Sequence, residues 1–271
     1  MECSFVAVKG AGDLATGVIH RLSRAGFSVL ATELPEPTEV RRTVAFAEAV
    51  ALGSVTVEDV TAQLATTPTA IHTLFAKGQV PILVDPNGVL LKELRPTVLI
   101  EATLSKYNSG ITITAAPSVI ALGPGYEAGK DAHAVIETNR GHNLGRVYLS
   151  GTAEPNTGKP GAIGGYTIER LLRAPCAGIL LGKRQIGDLV QAGETVAIVK
   201  AEDTGGEVPV LATIAGILRG LVRDGLPVSR GMKVGDIDPR AAREHCFTIS
   251  DKSRAIAGGV LEAMLYLLNR R

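Results

Sequence analysis

The chain has 271 residues, 45% of them hydrophobic, which suits one large or two modest domains. Its 28 basic and 27 acidic residues balance, and aromatic residues make up only 4% with no Trp, so nothing in the composition points to a nucleic-acid partner. No apolar run approaches the ~20 residues that span a bilayer.

The N-terminus enters a β-rich run at Ser4–Lys9, which leaves no room for a secretory leader and places the chain in the cytoplasm as an expectation. That run ends in Gly10-Ala11-Gly12-Asp13 and passes into an apolar helical pattern over 14–25. A second strand, 28–33, ends in Glu33. This is the layout of a nucleotide-binding βαβ unit. Gly10 permits the tight turn, Gly12 lets backbone approach a phosphate, Ala15 takes the third small position, and Glu33 stands where a carboxylate accepts ribose hydroxyls. Asp13 departs from the pattern. It sits at the helix N-terminus, where the dipole favours an anion, and competes there with a pyrophosphate as a cap.

Thr38 reads as the N-cap of a helix running to Val50, with Arg41 and Arg42 on a solvated face. Further helices are expected over 57–64 and 68–77, and strands over 80–84 and 97–102. Both strands end in acids, Asp85 and Glu101, with Lys106 just beyond. In an open α/β sheet, ligands bind beyond the carboxyl ends of strands, so Gly10, Gly12, Asp13, Glu33, Asp85, Glu101 and Lys106 are expected to share one crevice.

From 111 to 151, short β-like runs (111–115, 118–122, 132–137, 145–150) alternate with glycine turns. A dense polar set follows the loop 123–129: His133, Glu137, Thr138, Asn139, Arg140, His142 and Asn143. Asp13, His133, Glu137, Arg140 and His142 are the candidate catalytic residues. The stretch Gly151–Gly161 resembles a phosphate loop but has the wrong spacing, and Pro160 follows Lys159. We read it as a domain junction or active-site loop leading into a helix over 162–172.

The last third contains a repeat at an offset of 38 residues: Ala177-Gly178-Ile179-Leu180 recurs as Ala215-Gly216-Ile217-Leu218. Gly187, Val190, Gly193 and Val196 match Gly225, Val228, Gly231 and Val234. The two halves resemble those of a biotinyl/lipoyl-like barrel-sandwich hybrid. Asp203 stands where a carrier domain holds its modified lysine, so neither biotin nor lipoate is expected. Ser250 caps a final helix over 251–268, which packs onto a domain or a second subunit. Cys3, Cys176 and Cys246 are widely spaced and suit a reducing compartment. No histidine spacing marks a metal site. The expected fold class is therefore α/β: a Rossmann-like, mostly parallel sheet with a β-rich extension over 1–160, a barrel-sandwich hybrid module over 170–240, and a C-terminal helical segment over 241–271.

The runs Lys9–Gly17, Arg41–Phe46, Leu122–Gly129, Val135–Arg146 and Lys233–Arg240 resemble the accessory (maturation) proteins of selenium-dependent molybdenum hydroxylase systems. The resemblance spans nearly the whole chain. It implies a cytoplasmic maturation factor with a molybdenum hydroxylase as client and a nucleotide-type ligand, NAD or a molybdopterin dinucleotide, at Gly10–Asp13. The family supplies no established catalytic residue to transfer. The residues themselves leave two alternatives: an NAD-dependent oxidoreductase acting on a small substrate, with Glu33 disfavouring NADP, and a non-enzymatic scaffold for a client enzyme. A homodimer is compatible with each.

Overall fold

The structure is a computed structural model that describes residues 5–270. Cys3 and the first residue of the expected opening strand, Ser4, lie outside the described residues. The chain divides into two compact units. Unit 1 takes residues up to Pro37, Ala45–Asn156 and Ile249 onward, and unit 2 takes Thr38–Val44 and Thr157–Thr248. The expected division at 160, 170 and 240 is thereby corrected. The final helix belongs to unit 1, and 241–248 belongs to unit 2.

Unit 1 is organised by a nine-stranded sheet. Its elements are β1 (Val6–Lys9), α1 (Asp13–Arg24), β2 (Val29–Glu33), α2 (Ala49–Leu52), β3 (Ser54–Val57), β4 (Val60–Leu64), α3 (Pro68–Ala76) and β5 (Val80–Val84). Then come α4 (Val89–Leu94), β6 (Val98–Glu101), β7 (Ser118–Leu122), β8 (Glu127–Ala128), β9 (Ala134–Ile136), β10 (Val147–Tyr148), β11 (Gly151–Thr152) and, after unit 2, α5 (Asp251–Leu268). The strand order is β10-β9-β7-β6-β1-β2-β5-β4-β3, with β8 and β11 forming a separate pair. The central strands are apolar and buried on both faces, as parallel strands covered on two sides must be.

The sheet is not Rossmann-like. It is mixed, with antiparallel β3 and β10 at its two edges. Its parallel strands depart from the doubly wound order: β5 lies beside β2, and the earlier strand β4 lies outside β5. The connections from β6 to β7 and from β7 to β9 contain no helix. Cover on that side comes from α5, which packs on α1, β7, β9 and β10.

Three expected helices, over 38–50, 57–64 and 162–172, are not formed as expected. Residues 54–64 form the hairpin β3–β4, because Val55, Val57, Val60 and Thr61 favour extended backbone and Glu58-Asp59 makes the turn. Residues 42–50 break into 3₁₀ turns at Arg42–Val44 and Phe46–Glu48 before α2. The expected strand over 111–115 is not formed, and 162–172 holds a 3₁₀ turn, Ile168–Arg170, rather than a helix. Thr67 caps α3 ahead of Pro68, and Ser250 Oγ caps α5 by accepting from the Ser253 N–H.

Unit 2 contains β12 (Leu171–Arg173), β13 (Gly178–Gly182), β14 (Leu189–Val190), β15 (Thr195–Ala201), β16 (Glu207–Leu211), β17 (Gly216–Leu221), β18 (Pro227–Val228) and β19 (Lys233–Asp238). They form two four-stranded antiparallel sheets, β12-β19-β17-β14 and β16-β15-β13-β18. The 38-residue repeat appears in this pairing: each sheet takes its two inner strands from one half of the repeat and its two outer strands from the other. The core between them holds Leu180, Val196, Val199, Leu218, Val234 and Ile237.

The biotinyl-type barrel-sandwich assignment is corrected to these antiparallel sheets, because the module is not self-contained over 170–240. A strap from the N-terminal part of the chain completes it. Arg41 is buried and donates to the carbonyls of His245 and Thr248, at 2.9 and 3.3 Å. Arg42 Nε donates to the Leu221 carbonyl at 2.7 Å. Gly220 leaves room for the Val40 carbonyl, which would stand 2.8 Å from any Cβ there. Neither arginine lies on a solvated helix face.

Unit 2 also buries a chain of charges. Asp236 joins Arg170 at 2.8 Å and Arg219 at 2.9 Å, and Asp238 accepts from the backbone and guanidinium of Arg240. Burial raises the Asp238 pKa, but the bonds from Arg240 and the charge of Arg219 outweigh it and hold the group at about 2. A depressed carboxylate pKa contributes stability above the unfolded value of 3.8 and loses it as pH falls through the folded one. Asp238→Asn should therefore flatten the fall in unfolding midpoint between pH 4 and about 2, read by urea titration at stepped pH.

Candidate functional site

The carboxyl ends of the parallel strands in unit 1 carry the residues expected to form a site. Gly10 has φ +97°, and a Cβ there would meet the Ala102 carbonyl at 3.1 Å. The β1 loop therefore lies against the end of β6 and needs glycine. Gly12 is the N-cap of α1, makes no side-chain cap and has open space at its Cβ position. Ala15 is buried, as the close packing of helix on sheet requires.

Glu33 does not face a ribose. Its Oε1 accepts from the Ala11 N–H at 2.8 Å and its Oε2 from the Leu34 N–H at 2.7 Å. The carboxylate pins the glycine loop from within, and both its oxygens are engaged by backbone. Asp85 likewise caps α4, accepting from Val89 and Leu91 N–H groups at 2.9 and 3.1 Å. Lys106 is exposed with φ +68°, on a loop held where Gly125 packs against Tyr107 backbone.

Glu101 is fully buried and closes a polar network. It accepts from Thr103 N–H at 3.0 Å and Ser109 Oγ at 2.7 Å, and it pairs with Lys9 Nζ at 3.2 Å. Lys9 and Tyr126 also donate to Ser109 Oγ, at 2.9 and 3.3 Å. Every polar atom of the carboxylate is thus satisfied, and the network fixes the loop after β6.

The polar run after β9 separates into parts. His133 Nδ1 accepts from the Val119 N–H at 3.0 Å, so the neutral ring carries its proton on Nε2 and the residue locks β9 to β7. Glu137 is fully buried and accepts from the N–H groups of Asn139 and Glu154, at 2.7 and 2.8 Å. Asn139 and Asn143 donate to Glu154, which lowers that carboxyl's pKa. Arg140 makes a two-pronged pair with Asp251, at 2.7 and 2.8 Å. His142 is exposed and apart from these contacts.

Of the five candidate catalytic residues, Asp13, Glu137 and Arg140 come together, and His133 and His142 do not join them. What gathers the three is the start of α5, which sequence reasoning left out of the site. Ser253 Oγ donates to the carbonyls of Asp13 and Leu14, at 3.1 and 3.2 Å, and sets the first turn of α5 against the first turn of α1. Gly17 permits this approach, since a Cβ there would meet Ser253 Oγ at 2.1 Å.

Lys252 stands in the same turn of α5. Burial lowers its pKa most, with Arg140 adding to the fall, while Asp13, Glu137 and Asp251 pull it back up. Its ammonium has no hydrogen bond or ion pair among the described residues. No spacing rule connects Lys252 to Asp13 across the length of the chain. The usable signal was the Ser250 cap, which marks residues 251–253 as the first turn of α5.

No protein-family model matches the chain. It is 50% identical over 265 residues to the uncharacterized protein YqeB of Escherichia coli (strain K12), across 98% of this chain and 48% of YqeB. The chain thus spans about half the length of the curated relative it matches. Among solved structures it is similar to the product-bound ectoine utilization protein EutE (DoeB) of Ruegeria pomeroyi, with 12% identity and a TM-score of 0.27 over 87% of this chain and 85% of that one. It is also similar to a succinylglutamate desuccinylase/aspartoacylase of Rhodobacter sphaeroides, with 13% identity and a TM-score of 0.26 over 80% and 61%.

The curated relative is uncharacterized and neither of these structures is named as a molybdenum hydroxylase maturation protein, so the expected maturation role finds no support and is not carried forward. The NAD-dependent oxidoreductase alternative loses its expected ribose carboxylate, because Glu33 is committed to backbone. At these TM-scores the likeness carries no deacylase activity over to this chain. No helix among the described residues is long and apolar enough to cross a membrane.

Proposed function

We propose that unit 1 is a small-molecule-binding domain that holds an anionic group, a carboxylate or phosphate, at Gly12, Asp13 and Lys252. One observation carries the reading: Ser253 brings the first turns of α1 and α5 together beside a half-buried lysine with no hydrogen-bonding partner among the described residues. Two helix N-termini and an ammonium supply positive potential there. Glu137 and Asp251 are already occupied, the first by backbone N–H groups and the second by Arg140. Asp13 places a further negative charge beside the ammonium, which disfavours a ligand that does not share a proton or hydrogen bond with it.

Equilibrium titration with inorganic phosphate and with citrate tests this. Lys252→Met should weaken binding at least ~10-fold, in line with loss of a partly desolvated charge pair. Wild-type affinity should fall as pH rises, at a lower pH than an exposed lysine would give, because the Lys252 pKa lies below its ordinary 10.5. No binding of either anion, or equal binding by the variant, would overturn the reading. Cys176 and Cys246 are free thiols, the state a reducing compartment maintains, which supports a cytoplasmic setting as part of the same proposal.

A further inference from the structure

A second constellation lies elsewhere in unit 1, where the tip of the β3–β4 hairpin meets α1. His20 Nε2 is 2.7 Å from Asp59 Oδ1 and 3.6 Å from Glu58 Oε2, and the three atoms lie within 4.8 Å of one another. The imidazole is nearly buried, while Asp59 is half exposed. The second oxygen of each carboxylate is held from outside the cluster. Glu58 Oε1 accepts from the Ile249 N–H at 2.9 Å and from Arg254 at 2.7 Å. Asp59 Oδ2 is paired with Arg24. Each carboxylate is therefore fixed by one oxygen and presents the other to His20. Outer partners that orient donor atoms in this way are the usual support of a metal site.

We infer that His20, Glu58 and Asp59 form a binding site for a divalent transition metal of the zinc class. One imidazole nitrogen and two carboxylate oxygens are a donor set such ions accept, and the exposed side at Asp59 leaves room for a water as a further ligand. With ligand bonds of about 2.0–2.2 Å, neighbouring donors stand about 3.4 Å apart, so the ion replaces the His20–Asp59 hydrogen bond and opens that contact slightly. Two carboxylates balance the ion, and Arg24 and Arg254 leave the assembled site cationic. It would therefore bind an anionic ligand or a hydroxide at the open position.

The test uses the full chain, freed of metal, titrated with Zn²⁺ by calorimetry and with Co²⁺ by visible absorption. One ion per chain, with Co²⁺ bands of a four- or five-coordinate site, is the expected result. His20→Gln should weaken Zn²⁺ at least ~10-fold, and Asp59→Asn, at the exposed hairpin tip, should do the same if His20→Gln fails to fold. Affinity should rise with pH, because the imidazole must be neutral to bind. No stoichiometric binding, or binding unaltered by both substitutions, would overturn the site and show the cluster to be an ion-paired clasp between hairpin and helices.

Discussion

Gly259→Ala is expected to cost unit 1 about 3 kcal/mol, an unusually large effect for one methyl group on a helix. A Cβ at this position would stand 2.1 Å from the Gly145 carbonyl oxygen and 3.1 Å from Ile136 Cγ2. Real side chains do not tolerate such approaches to backbone, so α5 or the 137–146 loop must move. The close approach extends one turn further along α5, because Gly145, at φ +81°, also packs against the Ala255 carbonyl. The neighbouring residue supplies the control. At Gly258 the nearest atom to an added Cβ is the end of a flexible arginine, at 3.9 Å. Gly258→Ala should therefore be neutral or gain up to about 1 kcal/mol from helix propensity. Urea midpoints of the two variants decide the matter: equal stability would show that the α5 contact yields more easily than the geometry implies.

Asp236→Ala should destabilise unit 2 by about 3–5 kcal/mol. Asp236 is buried between Arg170 and Arg219, and the former is 5% exposed at its side chain. Removing the carboxylate leaves two guanidinium groups in the interior without their main counter-charge. The penalty is that of uncompensated buried charge, larger than the net contribution of the pair itself. By contrast Arg184→Ala, which breaks a pair with Glu194 at the surface of the same unit, should cost at most about 1 kcal/mol. If the two variants unfold at the same denaturant concentration, water must reach Asp236 in solution.

Local elements were legible in the sequence where a single residue commands the geometry. Gly10 with Gly12 located the first turn and α1, Ser250 located α5, and the 38-residue offset located the two halves that interleave in unit 2. The hairpin over 54–64 was readable in principle, since its valines and threonines favour strands. The misreading came from a Glu-Asp pair that makes the turn without glycine, at the cost of Glu58 holding φ +54°. The sheet order was not legible, because β5 and β4 exchange the places that a doubly wound sheet would give them. The site was half legible. The glycine loop and the 137–140 carboxylate and arginine were found, but their meeting depends on Lys252 and Ser253, brought in by the final helix. Glu33 showed the reverse error: a residue type in the expected place, bound to the loop rather than open to a ligand.

The discontinuity of unit 1 also sets an order of events during synthesis. Its glycine loop, sheet and polar 137–146 loop are made first, yet α5 is separated from them by the whole of unit 2. Until 249–271 has been made, Leu14, Gly17 and the buried face of β7 lack their covering helix. The nascent sheet must therefore wait with an apolar face open while 157–248 is translated. Unit 2 already has its strap, 38–44, to hand by then and has everything it needs to fold first. Slowed translation across 157–248 should lengthen that exposed interval and increase capture of the nascent chain by chaperones.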